Sequence, residues 1–350
     1  MAGDRQHILP RFLLKGFASR IQGKQIYTWV YRSDGGISEP NITNAAVSRY
    51  FYGRKGELSV DDDITKFEEK YSHLLDELRA KHGQVELSDY RIANLVTHLV
   101  TRTKHFRDGY RNSMDFLVDK MTEYFSDQAN LKEAILSTIL KQPKMIEGLI
   151  EEGFRDHPEL RFLENILKPL FPSILIAFSD TQKTENQMFV QYYFENIKEK
   201  LPKWMKDGHI KGLSQGLTPE PRVKEYQRLK WYLFKTDGAL ILGDIGCLFE
   251  VEGIKRFKSI TFEDDEIKNI FLPISDMQIL IGTSLPAIPN VDHNFINKKI
   301  AKCSREFFIC SKNCPGIASL LPLLGSESEI ISKAEIEQAV EEIILEYKVT

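Results

Sequence analysis

Apolar residues recur at helical spacing in several stretches of the chain. The clearest stretch, Ile64 to Lys81, has its apolar positions three and four residues apart. Three aspartates precede it and Gly83 follows, as is typical of the start and end of a helix. Similar spacing predicts helices over Asn130–Phe154, Glu159–Ala177, Thr184–Trp204 and Lys333–Tyr347.

The longest stretch, Ser88 to Phe125, predicts one central helix with Ser88 as its N-cap. At about 100° per residue, four basic or imidazole side chains share one narrow stripe at the border of its apolar face. Such a stripe can form a site, or it can be the edge of an ordinary core. Its members are Arg91, His98, Arg102 and His105.

The period of the pattern changes from helical to two after a predicted linker at Asp207–Pro221. Leu229–Phe234 and Ala239–Leu242 flank an Asp-Gly pair and predict a tight hairpin. His293–Ile309 returns to helical spacing. Further strands are predicted at Cys247–Val251, Ser259–Phe262, Ile270–Ile274 and Gln278–Gly282.

Together these patterns predict an α+β fold with three segments. Residues 1–60 hold an N-terminal segment and a small hairpin, whose strand is Gln25–Tyr31. Residues 61–215 form a helical lobe, and residues 216–350 form a mostly antiparallel sheet with C-terminal helices.

Composition adds little to this picture. With 28% charged and 42% hydrophobic residues, the chain has the composition of an ordinary folded protein. The net charge of −3 gives no general indication of nucleic-acid binding. We expect a cytoplasmic protein, because no uninterrupted apolar run has the length of a signal sequence core or a membrane span and the four cysteines are too few for a disulfide scaffold.

Several short motifs resemble a known bacterial family. The opening His7–Phe17, HILPRFLLKGF, is similar to the start of a family defined only as a domain of unknown function. The family's Arg-Thr-x-x-x-Arg segment resembles Arg102-Thr103 followed by Arg107, and its Ser-Asp-Asn-Pro segment matches Gly243–Gly246, where only Asp244 is retained. The resemblance implies no established chemistry.

The spacing of Arg91 and His98 also fits the Arg-x(4–6)-His pattern of HEPN-type ribonucleases. In those enzymes a histidine transfers protons while an arginine stabilises charge at the scissile phosphate. Since such sites are normally built across a dimer, this interpretation implies a second copy of the chain. The spacing is loose enough to occur by accident, and the alternative is a structural stripe.

Each of the other candidate residues also has a structural alternative. Arg102 and Arg107 suit carboxylate or phosphate, or they pair with acidic residues and hold the N-terminal segment in place. His7 is a catalytic imidazole or a satisfied, half-buried side chain. Asp244 is a site residue after a strand, or plain turn chemistry. The acidic partners considered for the two arginines are Asp4, Asp63 and Glu68.

Two hypotheses follow. The first is a metal-independent, ribonuclease-like effector in defence or stress, acting on nucleic acid or another phosphate-bearing substrate, with catalytic His98, Arg91, His7 and Asp244 and substrate-binding Arg102 and Arg107. The second is a non-catalytic binding or regulatory module. Neither needs a cofactor or a membrane. A zinc site at Cys247, Cys303, Cys310 and Cys314 is a third alternative, although the chain has no Cys-x-x-Cys pair.

Overall fold

The computed structural model describes residues 5–54, 60–141, 183–253, 256–287 and 291–347, with isolated positions 144, 147, 148, 151, 170 and 289. The chain forms two compact units. The first comprises residues 1–110 and 205–330, and the second comprises residues 111–204 and 331–350. Helices and antiparallel sheets occur together, which confirms the predicted α+β class. The division into three consecutive segments stays a prediction.

The helices of the described residues are numbered in chain order. Their bounds are α1 Arg11–Leu14, α2 Asp61–Arg79, α3 Arg91–Thr101, α4 Lys104–Ser126, α5 Gln128–Lys141, α6 Lys183–Gln215, α7 Glu220–Gln227, α8 His293–Cys303, α9 Pro315–Ala318 and α10 Lys333–Tyr347. In α2 the three aspartates occupy the first turn, and every fully buried position lies on one apolar face. The helix predicted at Glu159–Ala177 lies outside the described residues.

The strands lie in the first unit. They are β1 Arg5–His7, β2 Arg20–Gln22, β3 Gln25–Tyr27, β4 Trp29–Arg32, β5 Ile37–Ser38, β6 Val47–Arg49, β7 Val85–Leu87, β8 Lys230–Lys235, β9 Leu242–Gly243, β10 Leu248–Val251, β11 Phe257–Lys258, β12 Ile267–Ser275, β13 Gln278–Thr283 and β14 Phe307–Cys310.

Two larger sheets carry the core of this unit. A six-stranded sheet has the order β11-β10-β12-β13-β8-β7, and a four-stranded sheet has the order β5-β4-β14-β9. Each neighbouring pair is antiparallel. The short pairs β1–β6 and β2–β3 complete the described sheets. The predicted strand Gln25–Tyr31 is divided between β3, which forms a hairpin with β2, and β4, which pairs with β5 and β14 in the four-stranded sheet.

The N-terminal segment is held by backbone contacts with the rest of the first unit. Strand β1 pairs with β6, and the apolar residues of α1 are buried. Arg79, at the end of α2, donates from Nη1 to the carbonyl of Phe12 (2.9 Å) and from Nε to the carbonyl of Ile274 (2.9 Å). One half-buried guanidinium therefore satisfies a carbonyl in the last turn of α1 and fixes that helix beside β12.

The predicted central helix is two helices. Helix α3 ends at Thr101 and α4 begins at Lys104. The hydroxyl of Thr103 accepts the backbone N–H of Phe106 (3.1 Å), which is the hydrogen bond of an N-cap, so a new helix starts there. No side-chain cap from Ser88 is formed, because α3 begins only at Arg91 with Tyr90 before it.

The predicted hairpin over Leu229–Leu242 is wrong. Strand β8 pairs with β13 and β7, whereas β9 pairs with β14 in the other sheet. The chain between them is completely buried at Leu240 and Ile241, and the N–H of Ile241 donates to Oδ1 of Asn297 (2.9 Å). The packing of β8 and β9 into different sheets therefore outweighs the local preference of Asp237-Gly238 for a tight turn.

Two further boundaries differ from the sequence prediction. Helix α6 continues to Gln215, so most of the predicted linker is helical. The helix predicted over His293–Ile309 ends at Cys303, and Phe307–Cys310 forms the buried strand β14 instead. Four consecutive buried residues without a polar face are typical of a central strand.

Candidate functional site

The junction between α3 and α4 places Arg102 inside the first unit. The side chain is only 1% exposed and is among the largest fully buried side chains. It lies one residue before the Thr103 N-cap, where the chain leaves α3. Because the chain changes direction between the two helices, this guanidinium points into the first unit. A continuous helix would have placed it on the same stripe as Arg91.

Protein groups surround the Arg102 guanidinium. Its Nε donates to the hydroxyl of Tyr52 (3.1 Å), Nη1 donates to the carboxylate of Glu68, and Nη2 donates to the carbonyl of His7. Nη1 also lies 3.3 Å from Nε2 of His98. Burial opposes the charged form, but Tyr52 and Glu68 outweigh it and raise the pKa of Arg102. The site is therefore a buried, charged cross-link.

Tyr52 closes this cross-link from the other side. Its hydroxyl donates to the carbonyl of Arg102 (3.0 Å) and accepts from Nε of the same residue. The ring is completely buried, and burial raises the pKa of its phenol. Tyr52 therefore binds both the backbone and the side chain of Arg102.

His98 is completely buried on α3. Its ring lies against Phe67, with 4.1 Å between ring centroids. Burial, followed by the positive charge of Arg102, holds the pKa of His98 well below its ordinary value. A neutral imidazole can accept the Arg102 N–H through Nε2.

His7 contributes its backbone to the same place. Its carbonyl accepts from Arg102, and β1 holds it opposite Val47 of β6. Burial and the charges of Arg11, Arg102 and Arg5 lower the pKa of the His7 imidazole to about 4, against a weaker opposing contact with the Ala45 backbone. The imidazole is therefore neutral near pH 7.

Arg107 lies in a second buried cluster on α4. Its Nε donates to Nδ1 of His209 (3.0 Å), Nη2 donates to the carbonyl of Phe51 (2.9 Å), and the guanidinium stacks on the Phe51 ring at 3.6 Å. Burial lowers the pKa of Arg107 to about 10.

His209 is the partner of Arg107 in this cluster. Its Nε2 lies 2.7 Å from the carbonyl of Thr101, so this ring nitrogen carries the proton and Nδ1 is an acceptor. Burial, then the Arg107 charge, lowers the pKa of His209 to about 4.

Asp244 organises the entry to β14. Its carboxylate accepts the backbone N–H groups of Arg305 (3.0 Å), Glu306 (2.6 Å) and Phe307 (3.3 Å). Burial raises the pKa of Asp244 to about 6, although these N–H groups oppose the shift. The turn needs Gly246, because φ is +74° there and an added Cβ would lie 3.2 Å from the carbonyl of Leu99. This arrangement explains why the helix before β14 stops early.

The segments that resemble the family motifs do converge. Beside Asp244 lies a compact polar cluster to which the N-terminal segment contributes Ile8 and α4 contributes Lys104, His105 and Asp108. Lys104 lies 3.3 Å from Asp108 and also donates to Glu306. His105 lies 2.7 Å from the hydroxyl of Ser259. These side chains pack without room for a water molecule between them, so the cluster holds its segments together and leaves no pocket there.

Arg91 lies apart from these clusters, at the start of α3. It pairs with Asp89 (2.6 Å) and Glu77 (3.3 Å) and is 30% exposed. Together with the end of α2 and strand β7 it lines an open groove of about 630 Å³. The structure therefore brings His7, His98 and Arg102 together and places Arg107, Asp244 and Arg91 in three other surroundings.

Several partners that complete these clusters are not indicated by any pattern in the sequence. Tyr52 lies in an irregular segment, His209 is far along the chain from Arg107, and Arg79 looks like an ordinary last-turn cation of α2. Glu68 is one of the three acidic partners predicted for Arg102 and Arg107, and its ion pair with Arg102 is observed. In the described part of the chain, no three His, Cys, Asp or Glu side chains are grouped as metal ligands.

Comparison with known proteins identifies a family and no activity. The model of the family described as protein of unknown function (DUF4238) matches residues 5–312, so the chain belongs to this family. No curated protein and no solved structure matches the chain. Within the described residues, no helix is both long and apolar enough to cross a membrane.

Proposed function

We propose that this member of the DUF4238 family is a non-catalytic binding or regulatory module in which the Arg102 cluster is structural. The observation that carries the proposal is the burial of Arg102 with protein partners on each of its guanidinium nitrogens. A substrate-binding arginine needs N–H groups that face the substrate. Here those groups join the N-terminal segment to α2 and α3.

The surrounding histidines support the same proposal. His98 is buried and His209 is half-buried, both have lowered pKa values, and in each ring one nitrogen faces an arginine. A histidine that exchanges protons with a substrate must reach it directly or through one water. These rings instead complete hydrogen bonds within the fold.

The competing hypothesis is a ribonuclease-like effector on nucleic acid or another phosphate-bearing substrate, built across a homodimer. It requires His98 and Arg102 to leave their present partners and face a phosphate. It also requires Arg91, which now pairs with Asp89 and Glu77 in the groove, to act beside His98. The two hypotheses predict opposite results for the same variants.

The test compares Arg102→Ala with Arg228→Ala. Arg228 is exposed in the same unit, and its side chain makes no ion pair among the described residues. We expect only Arg102→Ala to lower the urea midpoint of unfolding, and neither variant nor the wild type to cleave single-stranded or structured RNA. An Arg102→Ala protein that unfolds like the wild type but has lost a measured cleavage activity would reject the proposal in favour of the enzyme.

A further inference from the structure

The edge of the six-stranded sheet has backbone groups that the fold leaves unpaired. Among the described residues, strand β7 is the last strand of that sheet, and its one partner strand is β8. The N–H of Thr236 donates to the carbonyl of Met277, and the same register continues along β8 and β13. Because hydrogen-bonded pairs alternate in an antiparallel ladder, Tyr232 bonds to β13 while Trp231 and Leu233 bond to β7.

This alternation determines the direction of the backbone N–H and C=O groups of Glu86. Val85 and Leu87 lie opposite Leu233 and Trp231 and form the hydrogen-bonded pairs. Glu86 lies opposite Tyr232, so its N–H and C=O are directed away from β8, towards the open edge. Within the described residues, neither group has another hydrogen-bond partner.

The groove beside this edge has the dimensions of a binding site, with a small apolar floor inside a mostly polar lining. Its volume of about 630 Å³ is within the usual range for ligand sites. Leu74, Leu78 and Leu87 form its apolar floor. The ring of Tyr90, 69% exposed, stands at the rim.

The charges at the rim favour a basic partner. Asp89 and Arg91 neutralise each other through a close ion pair. The remaining charged groups are the carboxylates of Glu77 and Glu86 against the ammonium of Lys81. In the described chain, the carboxylate of Glu86 forms no ion pair, and Glu77 shares only the more distant contact with Arg91.

We infer that this groove binds an extended peptide segment of a partner protein, which adds to β7 as a further strand. Main-chain hydrogen bonds to Glu86 supply part of the affinity, and alternate side chains enter the groove over its leucine floor. A basic residue of the peptide pairs with the Glu86 or Glu77 carboxylate. This inference rests on the proposed binding function, because it names the class of partner.

The structure offers a substitution that blocks the edge and spares the ladder. Proline is found on edge strands where its nitrogen faces solvent, and the Glu86 nitrogen faces away from β8. Glu86→Pro therefore removes the outward N–H and leaves the bonds of Val85 and Leu87 with β8. The matched control, Val85→Pro, removes a ladder donor and should lower the unfolding midpoint instead.

The experiment selects phage-displayed random decapeptides on the full chain and measures the enriched peptides, in free form, by fluorescence anisotropy. We expect sequences that alternate apolar and basic residues. Glu86→Pro should weaken their binding about tenfold, as loss of a main-chain bond and close packing implies, and Glu86→Gln about threefold.

Three outcomes would overturn the inference. They are enrichment of no peptide, peptides whose affinity is unchanged in Glu86→Pro, and a Glu86-dependent dimer in sedimentation, which would make a second copy the occupant. None of these results bears on Arg102, whose structural role is judged separately from the unfolding of its own variants. Failure here and failure of the proposed function can therefore be told apart.

Discussion

Arg102 and Arg91 belong to one predicted stripe of one predicted helix, yet they lie in opposite surroundings. Arg102 is sealed among Tyr52, Glu68 and His7. Arg91 lines an open groove and pairs with the half-buried carboxylate of Asp89 and the exposed carboxylate of Glu77. The difference arises at Thr103, where a helix cap interrupts the stripe. A shared helical face therefore gives shared surroundings only while the helix continues.

The largest expected effect is at the sealed end of this comparison. Arg102→Ala leaves the Glu68 carboxylate, the His7 carbonyl and the Tyr52 hydroxyl without their donor. Breaking a buried charged pair in this way costs about 3–5 kcal/mol, and we expect the lower part of that range because Glu68 retains contact with water. Urea unfolding monitored by circular dichroism measures the loss. A loss below about 1 kcal/mol, typical of surface pairs, would contradict the structural role.

Sequence reasoning was most accurate where the structure is local. Helix α2 follows its apolar period, and the predicted pairing of an arginine with Glu68 is observed at Arg102. The sequence pattern does not identify Tyr52 as the partner of Arg102 or His209 as the partner of Arg107. Neither pair shares a periodic pattern, because only long-range packing brings the two residues together. The hairpin at Asp237-Gly238 failed for the same reason, because the two flanking strands join different sheets.

Asp244 allows a second test, with a smaller expected effect. Asp244→Asn keeps one acceptor oxygen but turns an amide N–H₂ towards the N–H groups of Arg305, Glu306 or Phe307. Burial, which raises the pKa of Asp244 to about 6, offsets part of the roughly 1.5–3 kcal/mol that hydrogen bonds to a charged group contribute, so we expect a loss of about 1 kcal/mol near pH 7.5. Chemical denaturation measures it, with Asp264→Asn at an exposed carboxylate as the control. An unchanged stability would mean that β14 is fixed without this carboxylate.

The Arg107–His209 contact makes a prediction about pH. The pKa of His209 is lowered to about 4 in the folded chain, against an ordinary value of 6.5. Between these values the unfolded chain binds the proton and the folded chain does not, so stability falls as pH decreases through this window. His209→Gln removes this titration. The slope of unfolding free energy against pH should therefore be about 1.4 kcal/mol per unit smaller in the variant.

The difference in pH slope between the wild type and His209→Gln isolates the titration of His209. Protonation of His7 and His98 also lowers the stability of the fold as the pH decreases. Protonation of Asp244 raises the stability below about pH 6. All three residues are present in the wild type and in the variant, so their effects cancel in the difference. Urea unfolding at several pH values between 4 and 7.5 gives the two slopes. Equal slopes would contradict this prediction. They would show that neither burial nor the charge of Arg107 lowers the pKa of His209 in the folded chain.

The smallest expected effect is at Arg91. Its pairs with Asp89 and Glu77 are exposed to solvent, and such pairs contribute about 0–1 kcal/mol. The Asp89 carboxylate also accepts the backbone N–H of residue 91 (2.9 Å), a bond that Arg91→Ala retains at the start of α3. We therefore expect a loss of about 0.5 kcal/mol that disappears in high salt, measured in the same urea series. A salt-independent loss as large as that of Arg102→Ala would place both arginines in one structural network, and the contrast between a sealed cluster and an open groove would be wrong.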